Sequence, residues 1–481
     1  IKMNQKLIYS FLFFLVFNLN AFTQSQNHRL VVLSDIEADP DDSQSLVRLL
    51  LYSNKIDIEA LIATTSTHQR KKVVPESMHE IINAYGKVQS NLLKHEAGFP
   101  SADYLNSIVS KGLPIYGMAA VGKGHDSEGS EKIIEVIDRE DDRPIYISVW
   151  GGPNTLAQAL WKLRETRTKN ELKEIIAKLR VYTISDQDDS GIWIRNNFPD
   201  LFFIVSPGGY FRSTWIAINR PIKGIDNTTI SNSWLAENIQ QNHGPLGAMY
   251  PDVAYGMEGD TPAYLNLIPN GLNNPEKPNW GGWGGRYEYY LPTEIPTQNQ
   301  ATGGVPIEQE TRAIWTNADD EFNPRVPNEF GQSIRKDSIV FKNNWVSLWR
   351  WRDDFQRDFA ARMDWTFKSY EEANHAPIIQ LTIPDELTVH SGDKIDLDAK
   401  GTYDPDGDSM SYWWFPYLEA GTFKGKIGFG GQAENLYNQH DFTVPEVDSP
   451  KTLHFILKVT DKGSPAMSSY KRVILTILPK N

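Results

Sequence analysis

Five short apolar runs, at 29–34 (RLVVLS), 58–65 (IEALIATT), 145–149 (IYISV), 179–184 (LRVYTI) and 201–205 (LFFIV), show little alternation of apolar and polar residues. A strand with one wet face must alternate, whereas a near-continuous apolar run has both faces covered. Amphipathic patterns with helical spacing separate these runs, at 43–53, 73–88, 129–139, 155–165 and 191–197. This alternation predicts an α/β fold: an open, mostly parallel sheet with helices on both faces. In such sheets ligands bind outside the carboxyl ends of the strands, so residues just after each run are the place to search.

The remaining text divides by character. From about 222 to 329 the chain is rich in Gly, Pro, Asn and Trp with little periodicity, which predicts long ordered loops over the crevice. A helical pattern resumes over 345–373, placing Trp345, Trp349, Trp351 and Trp365 in a core. Asn374-His375-Ala376-Pro377 reads as a linker. Beyond it, short alternating runs at 378–383, 394–399, 411–415, 452–460 and 471–478 predict an immunoglobulin-like β-sandwich. Its Asp404-Pro405-Asp406-Gly407-Asp408 stretch reads as a tight turn, since a calcium loop of the helix-loop-helix kind needs a Gly at its sixth position and a Glu at its twelfth, where Phe415 stands. The expected division is thus a domain over 28–373 and another over 377–481. Residues 1–24 read as a signal peptide: Met3, Lys6, then an apolar stretch over 7–22, shorter than the roughly 20 residues of a spanning helix. A secreted or periplasmic bacterial protein follows as the expectation, with no membrane association after cleavage.

Composition enters through charge and cysteine. With 48 Lys+Arg against 61 Asp+Glu, the net charge of −13 argues against nucleic acid as a partner. The chain has no cysteine, which excludes thiolate chemistry and leaves oxygen or imidazole to hold any metal. No phosphate-binding loop, His-Glu-x-x-His or Gly-x-Ser-x-Gly motif is present.

After the first run comes Asp35-Ile36-Glu37-Ala38-Asp39-Pro40-Asp41-Asp42, five carboxylates in eight positions between a buried strand and a helix start. Helix capping accounts for one or two of them. A hard cation accounts for the group, because Ca²⁺ takes about 6–8 oxygens and favours clustered carboxylates with backbone carbonyls.

This loop resembles the nucleoside hydrolase signature. Together with ISVWGGPNTLAQAL, VYTISDQDDSGIWIRNNFP, MEGDTPAYLNLIPNGL, NWGGWGGRYE and RWRDDFQRDFAARMDW, it resembles a secreted, nucleoside hydrolase-like family of cellulose-binding proteins with an immunoglobulin-like C-terminal domain. The resemblance implies a Ca²⁺ held by Glu37, Asp42, Asp260 and the main chain of Trp150, with Asp35 supporting the loop and Asp41 gripping sugar hydroxyls. Glu37 would also take the proton from an attacking water. Two positions depart from the signature. Glu37 stands where Asp is usual, and Gly259 where a His often protonates the leaving base. Both departures spare metal binding more than nucleoside cleavage.

A polysaccharide substrate would also need a general acid. Asp186 (with Asp188 and Asp189, which follow a run and would contact substrate), His243 and His125 are the candidates. Trp280 and Trp283, flanked by glycines, either stack on sugar faces or pin their loop into the core. The leading expectation is an exported Ca²⁺-dependent hydrolase of glycosidic bonds in plant or algal carbohydrate. A non-catalytic carbohydrate-binding protein that keeps the metal site competes with it, and a broad-specificity nucleoside hydrolase is a third reading.

Overall fold

The structure is a computed structural model that describes residues 27–293, 308–327, 333–335, 339–427 and 436–480. The expected signal peptide lies outside these residues. An eight-stranded sheet organises the first domain: β1 (His28–Ser34), β2 (Ile56–Ala63), β3 (Val109–Lys111), β4 (Ile145–Val149), β5 (Leu179–Thr183), β6 (Phe202–Val205), β7 (Tyr287–Tyr290) and β8 (Ile314–Asn317). Its order is β3-β2-β1-β4-β5-β6-β8-β7, parallel except for the β7–β8 pair.

The continuous apolar runs have the predicted cause. Leu30 and Val32 of β1 enter the core on one face of the sheet, while Val31 and Leu33 enter a separate core on the other. Helices α1 (Asp41–Leu50) and α2 (Pro75–Gly86) pack on the first face. On the second lie α3 (Glu128–Ile137), α4 (Asn154–Thr166), α5 (Lys169–Lys178) and α6 (Ser190–Asn197). The chain leaves β1 for β2 on one side and β4 on the other, so the strand order switches direction between β1 and β4. That switch point opens a crevice at the strands' carboxyl ends.

Near the C-terminus, a four-stranded sheet pairs β9 (Glu386–His390), β14 (Ser468–Leu478), β13 (Lys451–Asp461) and β11 (Met410–Pro416), in that order. It faces a two-stranded sheet of β10 (Lys394–Asp398) and β12 (Gln439–Thr443) across a core that includes Leu397, Trp414, Phe442 and Phe455. This is the expected sandwich. Ile378 makes only an isolated bridge to Tyr403, so the run at 378–383 is not a strand of either sheet. The helical pattern over 345–373 breaks into Val346–Trp349, the helix α7 (Arg352–Asp364) and a short turn at Tyr370–Glu372.

The two domains share a core. Along β13, Leu453, Phe455 and Leu457 face the sandwich interior, whereas Ile456 joins the first domain's core with Trp351, Tyr417 and Tyr470. Asn374 and His375 are buried, so the predicted linker is part of that junction. Three of the four tryptophans read as core from the 345–373 pattern (Trp349, Trp351 and Trp365) are indeed buried. Among the described residues, no helix is long and apolar enough to cross a membrane.

Candidate functional site

The acidic loop turns immediately after β1. The N–H of Ala38 donates to the Asp35 carbonyl at 2.9 Å, and α1 then begins at Asp41, leaving Asp41 and Asp42 in its first turn. Ser34, the last residue of β1, donates its hydroxyl to Asp42. On the neighbouring strand, Trp150 follows β4 and its N–H bonds the Leu33 carbonyl at 2.8 Å. The third contributor, Asp260, comes from the long loop region; it immediately precedes Thr261, the residue before the short helix Pro262–Leu265. Asp41, Asp42 and Asp260 each bring a carboxylate oxygen within 4.8 Å of the others.

Nothing positive among these three offsets their mutual repulsion. Burial, followed by the neighbouring carboxylates, pushes Asp260 well above the ordinary carboxylate range. Burial raises Asp41 and Asp42 in the same way, and it lifts Asp35 to about 7. The Asp260 Oδ2 atom is buried with no hydrogen-bond partner among the described residues. An orphaned carboxylate oxygen inside an all-oxygen donor set is what a hard cation requires. Trp150 borders the same crevice, and its carbonyl accepts from Gln187 Nε2 at 2.7 Å, which leaves it a second lone pair.

The crevice above these acids holds about 720 Å³. Its wall includes Trp150, Tyr210, Phe211, Trp215 and Tyr255, with Asn219 and Arg220 as polar members. Trp215 is fixed by an indole N–H bond to Ser185 Oγ at 2.9 Å, whereas Tyr255 is 91% exposed at the rim. His68 meets the Tyr210 hydroxyl at 3.0 Å. Gly259 explains one departure from the signature. A Cβ there would lie 2.6 Å from Asp41 Oδ2 and 3.1 Å from the Trp215 ring, so a side chain would have to displace the Asp41 carboxylate.

Glu37 does not join the cluster. It is exposed with φ +77°, and its Oε1 accepts from Ser77 Oγ at 2.7 Å. Asp39 lines the crevice in its place, accepting the Asp41 N–H at 2.9 Å. Because the left-handed conformation strains a residue with a Cβ, Glu37→Gly is expected to raise stability by about 1 kcal/mol in denaturant melts.

Asp186 is held in an ion pair with Arg195, which also binds Glu310 at 2.6 Å. His243 is buried between the Gln241 carbonyl and Asp364 and does not line the crevice. Nor does His125, whose Nδ1 is buried without a partner. Asp189 is exposed and accepts the Met118 N–H at 2.8 Å. Asp188 is buried beneath Gly152: a Cβ there would come within 2.3 Å of Asp188 Oδ2, and burial raises this carboxyl to about 7. Trp283 is 1% exposed and packs edge-on against Tyr470 and Phe355, while Trp280 contacts His454 and Arg472. Both tryptophans serve the domain junction, and neither lines the crevice.

The sequence reading missed His68, Tyr210, Trp215 and Tyr255. Only His68 carried a usable signal, since it follows the β2 exit. The others come from loops without periodicity.

Residues 29–287 match the family described as cellulose-binding Sde182, nucleoside hydrolase-like domain. Residues 394–477 match the cellulose-binding protein Sde0182, C-terminal domain. A solved structure from Saccharophagus degradans is 35% identical, covers 94% of this chain and 100% of its own, and superposes with a TM-score of 0.77. It is described as a nucleoside hydrolase-related hypothetical protein associated with carbohydrate metabolism. The effector protein XOO4466, at 10% identity over 61% of this chain and 88% of its own, reaches a TM-score of only 0.28. No curated protein matches. The chain belongs to the nucleoside hydrolase-like, cellulose-binding family.

Proposed function

We propose that the chain is an exported carbohydrate-binding protein that grips a vicinal diol of a plant or algal glycan through a Ca²⁺ ion. The convergence of Asp41, Asp42 and Asp260 under an aromatic-walled crevice carries this reading. Asp42, Asp260 and the Trp150 carbonyl would hold the ion, leaving Asp41 free to accept sugar hydroxyl protons. Bound there, Ca²⁺ would coordinate neighbouring sugar hydroxyls as further oxygen ligands. Tyr255 and Trp215 would stack on apolar sugar faces, and Asn219 and Arg220 would satisfy equatorial hydroxyls. The apolar stretch at 7–22 supports export.

A hydrolytic reading has one observation in its favour. Asp39 borders the crevice and could accept a proton from an attacking water, although Glu37 turns away and Asp186 and His243 are engaged elsewhere.

Glycans and nucleosides incubated with the protein, with and without chelator, separate the two readings. Glycan retention that chelation removes, with no product formed, is expected. Tyr255→Ala should weaken retention about tenfold, the scale of one aromatic contact of about 1.4 kcal/mol. Retention indifferent to chelation would overturn the Ca²⁺ grip, and a product that disappears in Asp39→Asn would establish hydrolysis.

A further inference from the structure

The second concentration of acids lies far along the chain, on the turn that leads into β11. Asp404, Asp406 and Asp408 each offer a carboxylate oxygen within 4.8 Å of the others. The turn explains only half of the Asp404 carboxylate. Its Oδ1 accepts the N–H groups of Asp406 at 2.9 Å and Asp408 at 3.0 Å. Its Oδ2 is buried and has no partner among the described residues.

A separate strand adds the same feature. Asp461 ends β13 and pairs with Met410, two residues beyond Asp408, so it lies against this turn. It is 0% exposed. Its Oδ1 takes all the donors: the N–H groups of Gly463 and Met467, each at 3.0 Å, and the Asn374 amide at 3.1 Å. Its Oδ2 is buried with no partner among the described residues. Burial lifts this carboxyl to about 6, and Asp404 is near enough to add to the rise. Two orphaned carboxylate oxygens from neighbouring elements, both shut off from water, call for positive charge nearby. No Lys or Arg forms an ion pair with Asp404, Asp408 or Asp461 among the described residues.

We propose that Asp404, Asp406 and Asp408, with the buried carboxylate of Asp461 behind them, hold a Ca²⁺ ion that locks the junction between the two domains. The donor set is entirely oxygen, which suits a hard cation and excludes a soft one. The site touches the chain that connects the domains at two points. Asn374 holds Asp461, and Asp406 accepts from the His375 N–H at 2.7 Å and from its ring Nδ1 at 2.9 Å. His375 in turn stacks on Tyr370 and Trp365 and meets His95 Nδ1 at 3.0 Å. A cation on the three turn carboxylates, attracted also by Asp461, therefore fixes the position of both Asn374 and His375, and through them the sandwich against the first domain. The crevice plays no part in the site.

Calorimetric titration of the chelated Asp260→Asn chain with Ca²⁺, the crevice cluster having been broken, reads this site alone. One equivalent of binding and a Ca²⁺-dependent rise in melting temperature are expected. Asp408→Asn added to that chain should abolish both. Asp461→Asn, which leaves the hydrogen bonds of the Asp404 turn in place, should weaken binding at least tenfold. Absence of any Ca²⁺ binding to the Asp260→Asn chain would overturn the proposal, as would unchanged affinity in the Asp461→Asn chain. Loss of binding in the wild-type crevice has no bearing on either outcome.

Discussion

Asp260→Asn is expected to lower crevice Ca²⁺ affinity about 100-fold or more, yet to raise the melting temperature of the chelated protein. The two effects have one origin. Asp260 is buried beside Asp41 and Asp42 with an unpartnered oxygen, so without a cation it adds only like-charge repulsion and desolvation. Unit charges about 4 Å apart repel by at most about 4 kcal/mol at an effective dielectric constant of 20, and the neutral amide removes that repulsion. On the proposed reading, the same carboxylate would be a Ca²⁺ ligand that an amide replaces poorly.

The pH dependence follows from the same group. Asp35 is raised to about 7, and Asp41, Asp42 and Asp260 are raised well above 3.8, chiefly by burial. Raised carboxyls keep protons that the unfolded chain releases, so their stabilising contribution is complete below about pH 3.8 and is lost as pH rises through 7. In chelator, the wild-type melting temperature should fall between pH 5 and 8, and Asp260→Asn should fall less. Ca²⁺ must displace those protons, so its affinity should rise over the same window. Calorimetry at several pH values reads all three trends. A wild-type melting temperature in chelator that climbs from pH 5 to 8 would contradict the assignment of the cluster.

The sheet was legible because its physical cause is local. Val31 and Leu33 go to one core and Leu30 and Val32 to the other, and that double burial is written as an unbroken apolar run. The capping box of Thr168 and Glu171 was equally readable and marks α5, which periodicity alone passed over. The acidic site was legible in type and only partly in geometry. Side chains that follow a strand share its crevice, which placed Asp41 and Asp42; whether one of them turns inward depends on a single backbone angle, and Glu37 at φ +77° turns out. The tryptophans show the other limit. Gly-flanked indoles look alike on a sugar platform and at a domain junction, and only the distant Tyr470 and Phe355 decide that Trp283 belongs to the latter. The strand Glu386–His390 is of the same kind, since its partner β14 lies about 90 residues away in the chain.

Arg48→Met should be the most damaging substitution outside the acidic cluster, lowering stability by about 3–5 kcal/mol and crevice Ca²⁺ affinity with it. Arg48 lies on α1 two turns beyond Asp42 and is fully buried. Its Nε donates to Glu258 Oε2 at 2.5 Å and its Nη2 to Oε1 at 3.0 Å, while Nη1 reaches the Phe355 carbonyl at 3.0 Å. The guanidinium also lies 4.0 Å from the centre of the Phe359 ring. Glu258 is 0% exposed, sits at φ +49° two residues before Asp260, and accepts from Tyr250 at 2.8 Å and Thr261 at 2.9 Å. The pair therefore staples the helix that carries Asp41 and Asp42 to the loop that carries Asp260. Removing the cation alone leaves a buried carboxylate with two hydroxyl donors and no charge partner, which is far costlier than removing both groups. Arg48→Met combined with Glu258→Gln should recover part of the loss, with a coupling of about 1–3 kcal/mol in a double-mutant cycle. Stability from urea unfolding and affinity from calorimetry should fall together in the single variant, because one contact holds both the fold and the ligand geometry. If Arg48→Met lost its stability while binding Ca²⁺ in the crevice as tightly as the wild type, the ligand-bearing elements would be positioned by something other than this pair.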